Sequence, residues 1–242
     1  MQTSGFLSEV KSWFLPRGRK VRTIRGGLLK GLQVPIDFAE QTQLFLGLYE
    51  RETHNWIRRL SKDCATFGDV GAARGFISLY ALACTPARKV IAFEPQQALH
   101  AHIIDLLQRN RLTLQDRFFL FSDFVGKTSS EHTRTLDEFF DMLDEPVFLK
   151  IDVDGPELEV LQGATRLLQN KDVRMVIETH APELEEGCIA FLESLGYTVE
   201  IIPNAWWRIF IPEQRPIPHN RWLAAHHPDR INRSSPHPAH GR

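Results

Sequence analysis

Residues Thr66-Phe-Gly-Asp-Val-Gly-Ala-Ala-Arg-Gly-Phe-Ile-Ser-Leu79, TFGDVGAARGFISL, decide the fold. A short apolar run ends at Asp69, glycines at 71 and 75 bracket a turn, and apolar residues resume from Phe76. The pattern predicts a strand, a tight loop and a helix, the first unit of a sheet with helices on its faces. Glycines let a ligand approach the backbone closely, but a carboxylate two residues before Gly71 repels a phosphate. A pyrophosphate loop of the GxGxxG kind runs from strand into glycines with no acid there. Asp69-Val-Gly71-Ala72-Ala-Arg-Gly75 suits an ammonium or a sulfonium group instead. The plainer reading is a strand-to-helix turn that begins with an acid.

Working outward, short apolar runs alternate with amphipathic stretches. A helical segment is expected over Glu40–Leu60 before the quoted strand. After it come strand Lys89–Phe93, helix Gln97–Asn110, strand Phe118–Phe121, helix Leu136–Leu143 and strand Val147–Ile151. Helix Pro156–Gln169, strand Val173–Ile177 and helix Pro182–Leu195 complete the alternation. Buried strands separated by helices predict an α/β fold with a doubly wound, mostly parallel sheet. Tyr197–Ile202 and Trp207–Ile211 read as a closing hairpin around Pro203-Asn204.

In such sheets ligands bind beyond the carboxyl ends of the strands, where the strand order reverses. Glu94 ends the second strand, 23 residues after Gly71, where a carboxylate can accept both hydroxyls of a ribose. S-adenosylmethionine has that ribose and both of the cationic groups that Asp69 would favour. Ser122-Asp123 follows the third strand, where Asp123 could accept from an adenine amine or simply shape a turn. In "FLKIDVDGPELEVLQGA" (Phe148–Ala164), Asp152 ends the fourth strand and Asp154-Gly155-Pro156 turns the chain into a helix. The two acids are then placed to act on a substrate hydroxyl; on the plainer reading Asp154 caps the helix and Asp152 orients Lys150 or a backbone amide. The fifth strand ends in Glu178-Thr179-His180, which adds an acid and a histidine to the same rim.

The 242 residues, 43% hydrophobic and 24% charged, suffice for one sizeable core. The net charge of −1 is unevenly spread: residues 11–30 hold seven Lys/Arg and no acid, and residues 31–207 hold 16 basic against 27 acidic side chains. An acidic body argues against nucleic acid as a partner, whereas basic ends leave peripheral membrane contact open without favouring it. Phe6, Leu7, Val10, Trp13 and Phe14 form a short amphipathic stretch, and the tail "NRSSPHPAHGR" from Asn232 has a disordered composition. No run of eighteen apolar residues and no secretory leader is legible, which gives an expectation of a cytoplasmic protein. Cys64, Cys84 and Cys188 are odd in number and widely spaced, so buried thiols are expected rather than disulfides or a zinc site.

In their order and spacing, four blocks resemble an FkbM-type methyltransferase: LGLYERE (Leu46–Glu52), DVGAARGFISL (Asp69–Leu79), IAFEPQQALHAHIIDLLQRNRL (Ile91–Leu112) and LKIDVDGPELEVLQGA (Leu149–Ala164). TLDEF (Thr135–Phe139), IETH (Ile177–His180) and LGYTV (Leu195–Val199) fit the same order, so that the resemblance runs from about Gly31 to Ile211. It implies the seven-stranded class I methyltransferase fold, S-adenosylmethionine as cofactor, and methyl transfer to oxygen on a sugar, glycan or secondary metabolite. The domain boundaries that follow are a basic extension over 1–30, a methyltransferase domain over 31–211 and a basic, partly disordered tail over 212–242.

The resemblance further implies that Tyr49, Glu50, Asp69, Gly71, Ala72, Gly75, Glu94, Pro95, Ser122, Asp123 and Asp152 surround the cofactor. Asp152 is the leading base or orienting group, and His180 its competitor. Asp152 and Glu178 could hold a Mg²⁺, although nothing in the spacing requires one. Four positions depart from the family: Ala73 and Leu106 where asparagine is usual, Gln97 where proline is usual, and Arg74, an unusual residue beside Ala73. Trp206, Trp207 and Trp222 could form a platform for a sugar ring or belong to the core. An NAD-dependent oxidoreductase and a noncatalytic interaction module are the competing readings, the first opposed by Asp69 and the second motivated by Ala73 and the basic ends.

Overall fold

A computed structural model of the chain describes residues 18–209, 219 and 221–231. The amphipathic stretch at 6–14 and the tail from Asn232 lie outside the described residues. The chain opens with a small antiparallel pair, β1 (Lys20–Thr23) and β2 (Gln33–Ile36), followed by α1 (Phe38–Leu46), a 3-10 turn (Arg51–Thr53) and α2 (His54–Leu60). The helix predicted over Glu40–Leu60 is therefore broken. Gly47, at φ +77°, lies so close to the Gly26–Gly27 backbone that any side chain there would overlap it.

The alternating part follows: β3 (Thr66–Val70), α3 (Phe76–Cys84), β4 (Lys89–Phe93), α4 (Gln97–Arg109), β5 (Phe118–Phe121), and the two-residue strands β6 (Phe124–Val125) and β7 (Thr133–Arg134). Leu136–Met142 is 3-10 rather than α-helical, and it begins with a reciprocal cap between Thr135 and Glu138. Then come β8 (Val147–Ile151), α5 (Glu157–Gln162), α6 (Thr165–Asn170), β9 (Val173–Thr179), α7 (Pro182–Ser194), β10 (Thr198–Ile202), β11 (Arg221–His226) and α8 (Pro228–Ile231). The helix predicted over Pro156–Gln169 is two helices, separated at Gly163 and Ala164, where the backbone leaves helical geometry (Ala164 φ −112°, ψ 15°); Gly163 packs against the Gly126 carbonyl, which leaves no room for a side chain there.

The seven-stranded sheet has the order β10-β11-β9-β8-β3-β4-β5. The five strands from β9 to β5 run parallel, and β11 lies antiparallel between β9 and β10. The closing strand is thus Arg221–His226, drawn from the stretch read as the tail. Trp206–Ile209 is a 3-10 turn, which corrects the expected Trp207–Ile211 strand, and residues 210 and 211 lie outside the described residues. Trp222 is fully buried within β11 and Trp206 is 76% exposed, so the two share no sugar-binding platform; the Trp207 side chain is outside the described residues. Cys64 and Cys188 are buried as expected, whereas Cys84 is exposed at the end of α3.

Alternation along the strands sorts side chains onto two apolar faces. Phe67, Phe148, Val176 and Trp222 join the face covered by α1, α2 and α3, while Val70, Ile151, Ile177 and Leu223 face the other way. Asp69 is in register with Lys150, and Lys150 with Val176, so Asp69, Lys150, Asp152 and Glu178 all point to the first face. Among the described residues no helix is long and apolar enough to cross a membrane.

Candidate active site

Strand order reverses between β3 and β8, and a cleft of about 320 Å³ opens there at the carboxyl ends of the strands. Its walls include Tyr49, Glu50, Asp69, Gly71, Ala72, Lys150, Asp152 and Glu178. Gln41, Leu44, Phe76 and Ile77 add a largely apolar side from α1 and α3.

Asp69 is buried, and Ser78 Oγ donates to its Oδ2 at 2.6 Å. Burial pushes its carboxyl up to about 6, because Ser78 and the more distant Lys150 only partly offset the loss of water. Lys150 is the central cation. Its ammonium stands 3.4 Å from Asp152 Oδ2, 3.5 Å from Glu50 Oε2 and 3.6 Å from Glu178 Oε2. Burial disfavours the charged amine, but the surrounding carboxylates outweigh it and hold the proton on Lys150. Glu50 reaches this group from a left-handed backbone conformation at φ +45°, pinned by Thr53 Oγ1 donating to its carbonyl at 2.8 Å. Burial raises Glu50 to about 7, with Lys150 opposing the shift and Glu178 and Asp152 adding to it.

His180 stands behind Asp152 rather than in the wall of the cleft. Its Nδ1 is hydrogen-bonded to the fully buried Glu157. Its Nε2 faces Asp154 at 3.5 Å, Glu178 at 3.6 Å and Asp152 at 3.9 Å. Burial opposes a charge on the ring, but Glu157 and Glu178 prevail and raise His180 to about 10.

The loop glycines answer to the protein's own packing. At Gly71, φ is +85° and a Cβ would overlap the Asp152 carbonyl, while a Cβ at Gly75 would press on Ile103. Ala73 also adopts a left-handed conformation, φ +46°, the conformation in which asparagine is the better tolerated non-glycine residue. Glu94 lies behind the loop, where its two oxygens accept from the backbone N–H groups of Ala73 at 2.7 Å and Gln96 at 2.8 Å. Pro95 is half-buried and Ser122 exposed, and Asp123 pairs with Arg134 at 3.5 Å. None of these four lines the cleft.

The structure therefore gathers Tyr49, Glu50, Asp69, Gly71, Ala72, Asp152 and Glu178, and leaves Gly75, Glu94, Pro95, Ser122, Asp123 and His180 outside the walls. Lys150 is the functional residue that sequence reasoning undervalued, where it figured only as something for Asp152 to orient. A lysine inside the apolar strand Val147–Ile151 was the available signal, since a buried ammonium demands partners.

A seven-stranded sheet of this order, with an acidic cleft at its reversal point, defines the class I fold of S-adenosylmethionine-dependent methyltransferases. Within that class the FkbM resemblance is borne out: residues 109–199 match the family model described as the Methyltransferase FkbM domain. The matched segment contains Asp152, Glu178 and His180, and the Asp69–Gly75 loop precedes it. Among solved structures, the FkbM methyltransferase of Methylobacillus flagellatus KT superposes with a TM-score of 0.56 at 19% identity, covering 67% of this chain and 44% of that one. This chain thus spans less than half the length of that protein. A protein described as a methyltransferase from Streptococcus mutans, in complex with SAH, gives 0.50 at 12% identity over 72% of this chain and 94% of that one. One described as an rRNA-methylase from Clostridium thermocellum gives 0.51 at 15% identity over 72% and 93%. These identities speak to fold. No curated protein matches the chain.

Proposed function

We propose that the protein transfers the methyl group of S-adenosylmethionine to a hydroxyl oxygen of a sugar, glycan or secondary metabolite. One observation carries the reading: five carboxylates, Glu40, Glu50, Asp69, Asp152 and Glu178, line the cleft against two cations, Arg74 and Lys150, with Lys150 central among the buried acids. A cleft with that excess of negative charge favours a sulfonium and an ammonium over a pyrophosphate. The family match supports the donor, and it also weighs against the nicotinamide alternative.

In the transfer, the acceptor oxygen attacks the methyl carbon in line and the sulfur leaves with the bonding pair. Holding the two centres together supplies much of the acceleration. An alcohol reacts once its proton is taken, and Asp152 is the group suited to taking it. It lines the cleft at the end of β8, partly exposed, whereas His180 lies behind it. His180 then serves to orient Asp152. Tyr49 and Glu50, on the turn between α1 and α2, close the cofactor's side of the cleft.

The test combines calorimetry with S-adenosylmethionine and with NAD in separate titrations, then incubation with labelled donor and a panel of sugars, glycolipids and hydroxylated metabolites. Donor binding at micromolar concentration and label on an acceptor oxygen, located by mass spectrometry, are expected. Uptake of NAD without uptake of the methyl donor would overturn the reading.

A further inference from the structure

Asp152 and Glu178 each divide their two oxygens between opposite neighbours. Asp152 Oδ2 and Glu178 Oε2 face the Lys150 ammonium at 3.4 and 3.6 Å. Asp152 Oδ1 and Glu178 Oε1 face His180 Nε2 at 3.9 and 3.6 Å. On the histidine side, one ligand atom from each of the three residues lies within 4.8 Å of the others.

Ligands about 2.1 Å from a common metal ion are themselves about 3.0–3.5 Å apart at octahedral or tetrahedral angles. The two histidine–carboxylate separations are a few tenths of an ångström wider than that, within reach of side-chain adjustment. The histidine is aimed into the gap. Its side chain is 6% exposed, and Nε2 is buried and makes no hydrogen bond. The other ring nitrogen is held by Glu157, the arrangement in which a carboxylate fixes the orientation of a metal-binding imidazole. Charge agrees in sign: Asp152, Asp154, Glu157 and Glu178 all face the ring, and a cation bound there would displace the proton that they hold on it.

We propose that Asp152, Glu178 and His180 form a binding site for a first-row divalent cation at the rim of the cleft. The imidazole favours a borderline first-row ion such as Fe²⁺, Co²⁺ or Zn²⁺ over the purely oxygen-seeking Mg²⁺, and Mn²⁺, the weakest binder of the row, is the spectroscopic probe of the site. Two of the three ligands line the cleft, so an ion held by them would lie next to it and could reach an acceptor hydroxyl bound there. That last role rests on the methyl-transfer reading; the site itself does not.

The test is a titration of the full chain with Mn²⁺ in the absence of donor, followed by calorimetry and electron paramagnetic resonance. One equivalent should bind saturably, with spin-echo modulation from an imidazole nitrogen. His180→Ala should weaken binding at least tenfold and abolish that modulation, Glu157→Gln should weaken it less, and the exposed Glu138→Gln should leave it unchanged. No saturable uptake at millimolar Mn²⁺, or uptake within twofold of wild type in a folded His180→Ala variant, would overturn the proposal. If His180→Ala does not fold, the wild-type spectrum decides, because bound Mn²⁺ without nitrogen coupling equally overturns it. A separate donor titration keeps the two readings apart: donor uptake without Mn²⁺ sinks only the metal site, and Mn²⁺ uptake without donor sinks only the methyl-transfer reading.

Discussion

Ser78 Oγ donates a 2.6 Å hydrogen bond to Asp69 Oδ2, tying the first turn of α3 to the buried acid at the end of β3. The bond fixes the carboxylate in place without removing the cost of ionising it away from water. The folded-state value of about 6, against an ordinary 3.8, corresponds to a penalty on the order of 3 kcal/mol at neutral pH. Because the folded state binds this proton more tightly than the unfolded chain, the Asp69 contribution to stability falls as pH rises from about 4 to about 6 and is level above that. Asp69→Asn should therefore raise the melting temperature of the ligand-free protein at pH 7.5, since the amide carbonyl can still accept from Ser78. The same change should weaken S-adenosylmethionine at least tenfold in calorimetry, and wild-type affinity should decline as the buffer is taken below pH 6.

Gly71 is required by the neighbouring strand. Gly71→Ala would set a Cβ against the Asp152 carbonyl at a φ of +85°, combining backbone strain with an overlap that neither strand can relieve. A loss of several kcal/mol in chemical denaturation is expected, together with loss of donor binding. At Gly155, φ is +113° with open space around the would-be Cβ, so Gly155→Ala should cost only the backbone strain, about 1–2 kcal/mol. Equal losses at the two sites would show that the approach of β3 to β8 is not what requires the glycine at 71.

Asp152→Asn tests the chemistry. The amide keeps the shape of the side chain and removes the proton acceptor, so turnover should fall by about 10² to 10⁴ while donor affinity changes little. Full activity would remove Asp152 from the mechanism. Donor affinity and single-turnover rate, measured on the same preparation, separate the two effects.

Much of this site was legible because its residues sit at strand ends, and strand ends follow from the apolar runs. Val147–Ile151 coincides with the expected strand, and Thr66–Val70 and Val173–Thr179 overlap theirs within two residues, so Asp69, Asp152 and Glu178 land on one rim. The breaks were not legible, because they lie where the backbone packs against segments distant in sequence: Gly47 against Gly26–Gly27, and Gly163 against Gly126. The closing strand was misplaced for a related reason. Arg221–His226 pairs with β9 and β10 across an intervening 3-10 turn, and no tight-turn signature marks so long a connection. Glu94 was correctly placed at a strand end, but which partners its oxygens take depends on the loop conformation at Ala73, which no spacing reports.

Arg208 ties the 3-10 turn after β10 to the turn between α1 and α2. Its Nε and Nη2 each donate to Glu52 at 2.8 Å, a two-pronged pair with the carboxylate almost wholly buried. Burial alone would raise Glu52, but the hydrogen bonds from Arg208 and the backbone more than offset it and hold the carboxyl below its ordinary value. Arg208→Ala should cost about 2–3 kcal/mol near neutrality, since it leaves a buried carboxylate unpaired. For an acid depressed in the folded state, the stabilisation is present above the unfolded pKa and lost as pH falls through the folded one. The difference between wild type and variant should accordingly shrink in denaturation curves taken at progressively lower pH.

Ala73 offers a change in the opposite direction. It holds a left-handed conformation, φ +46°, while its N–H donates to Glu94 Oε2 at 2.7 Å, so this geometry shapes the loop that borders the cleft. Alanine has no means of stabilising that conformation, whereas the short amide of asparagine bonds locally and tolerates it. Because Ala73 is exposed, the larger side chain meets no crowding. Ala73→Asn should therefore stabilise the fold by about 0.5–1 kcal/mol, a rise of a few degrees in melting temperature for a chain of this size. It should also tighten donor binding severalfold by holding the loop in shape before the ligand arrives. A lower melting temperature in the variant would mean that the loop conformation at 73 is sustained by the Glu94 contact alone, and that the residue's own preference contributes nothing.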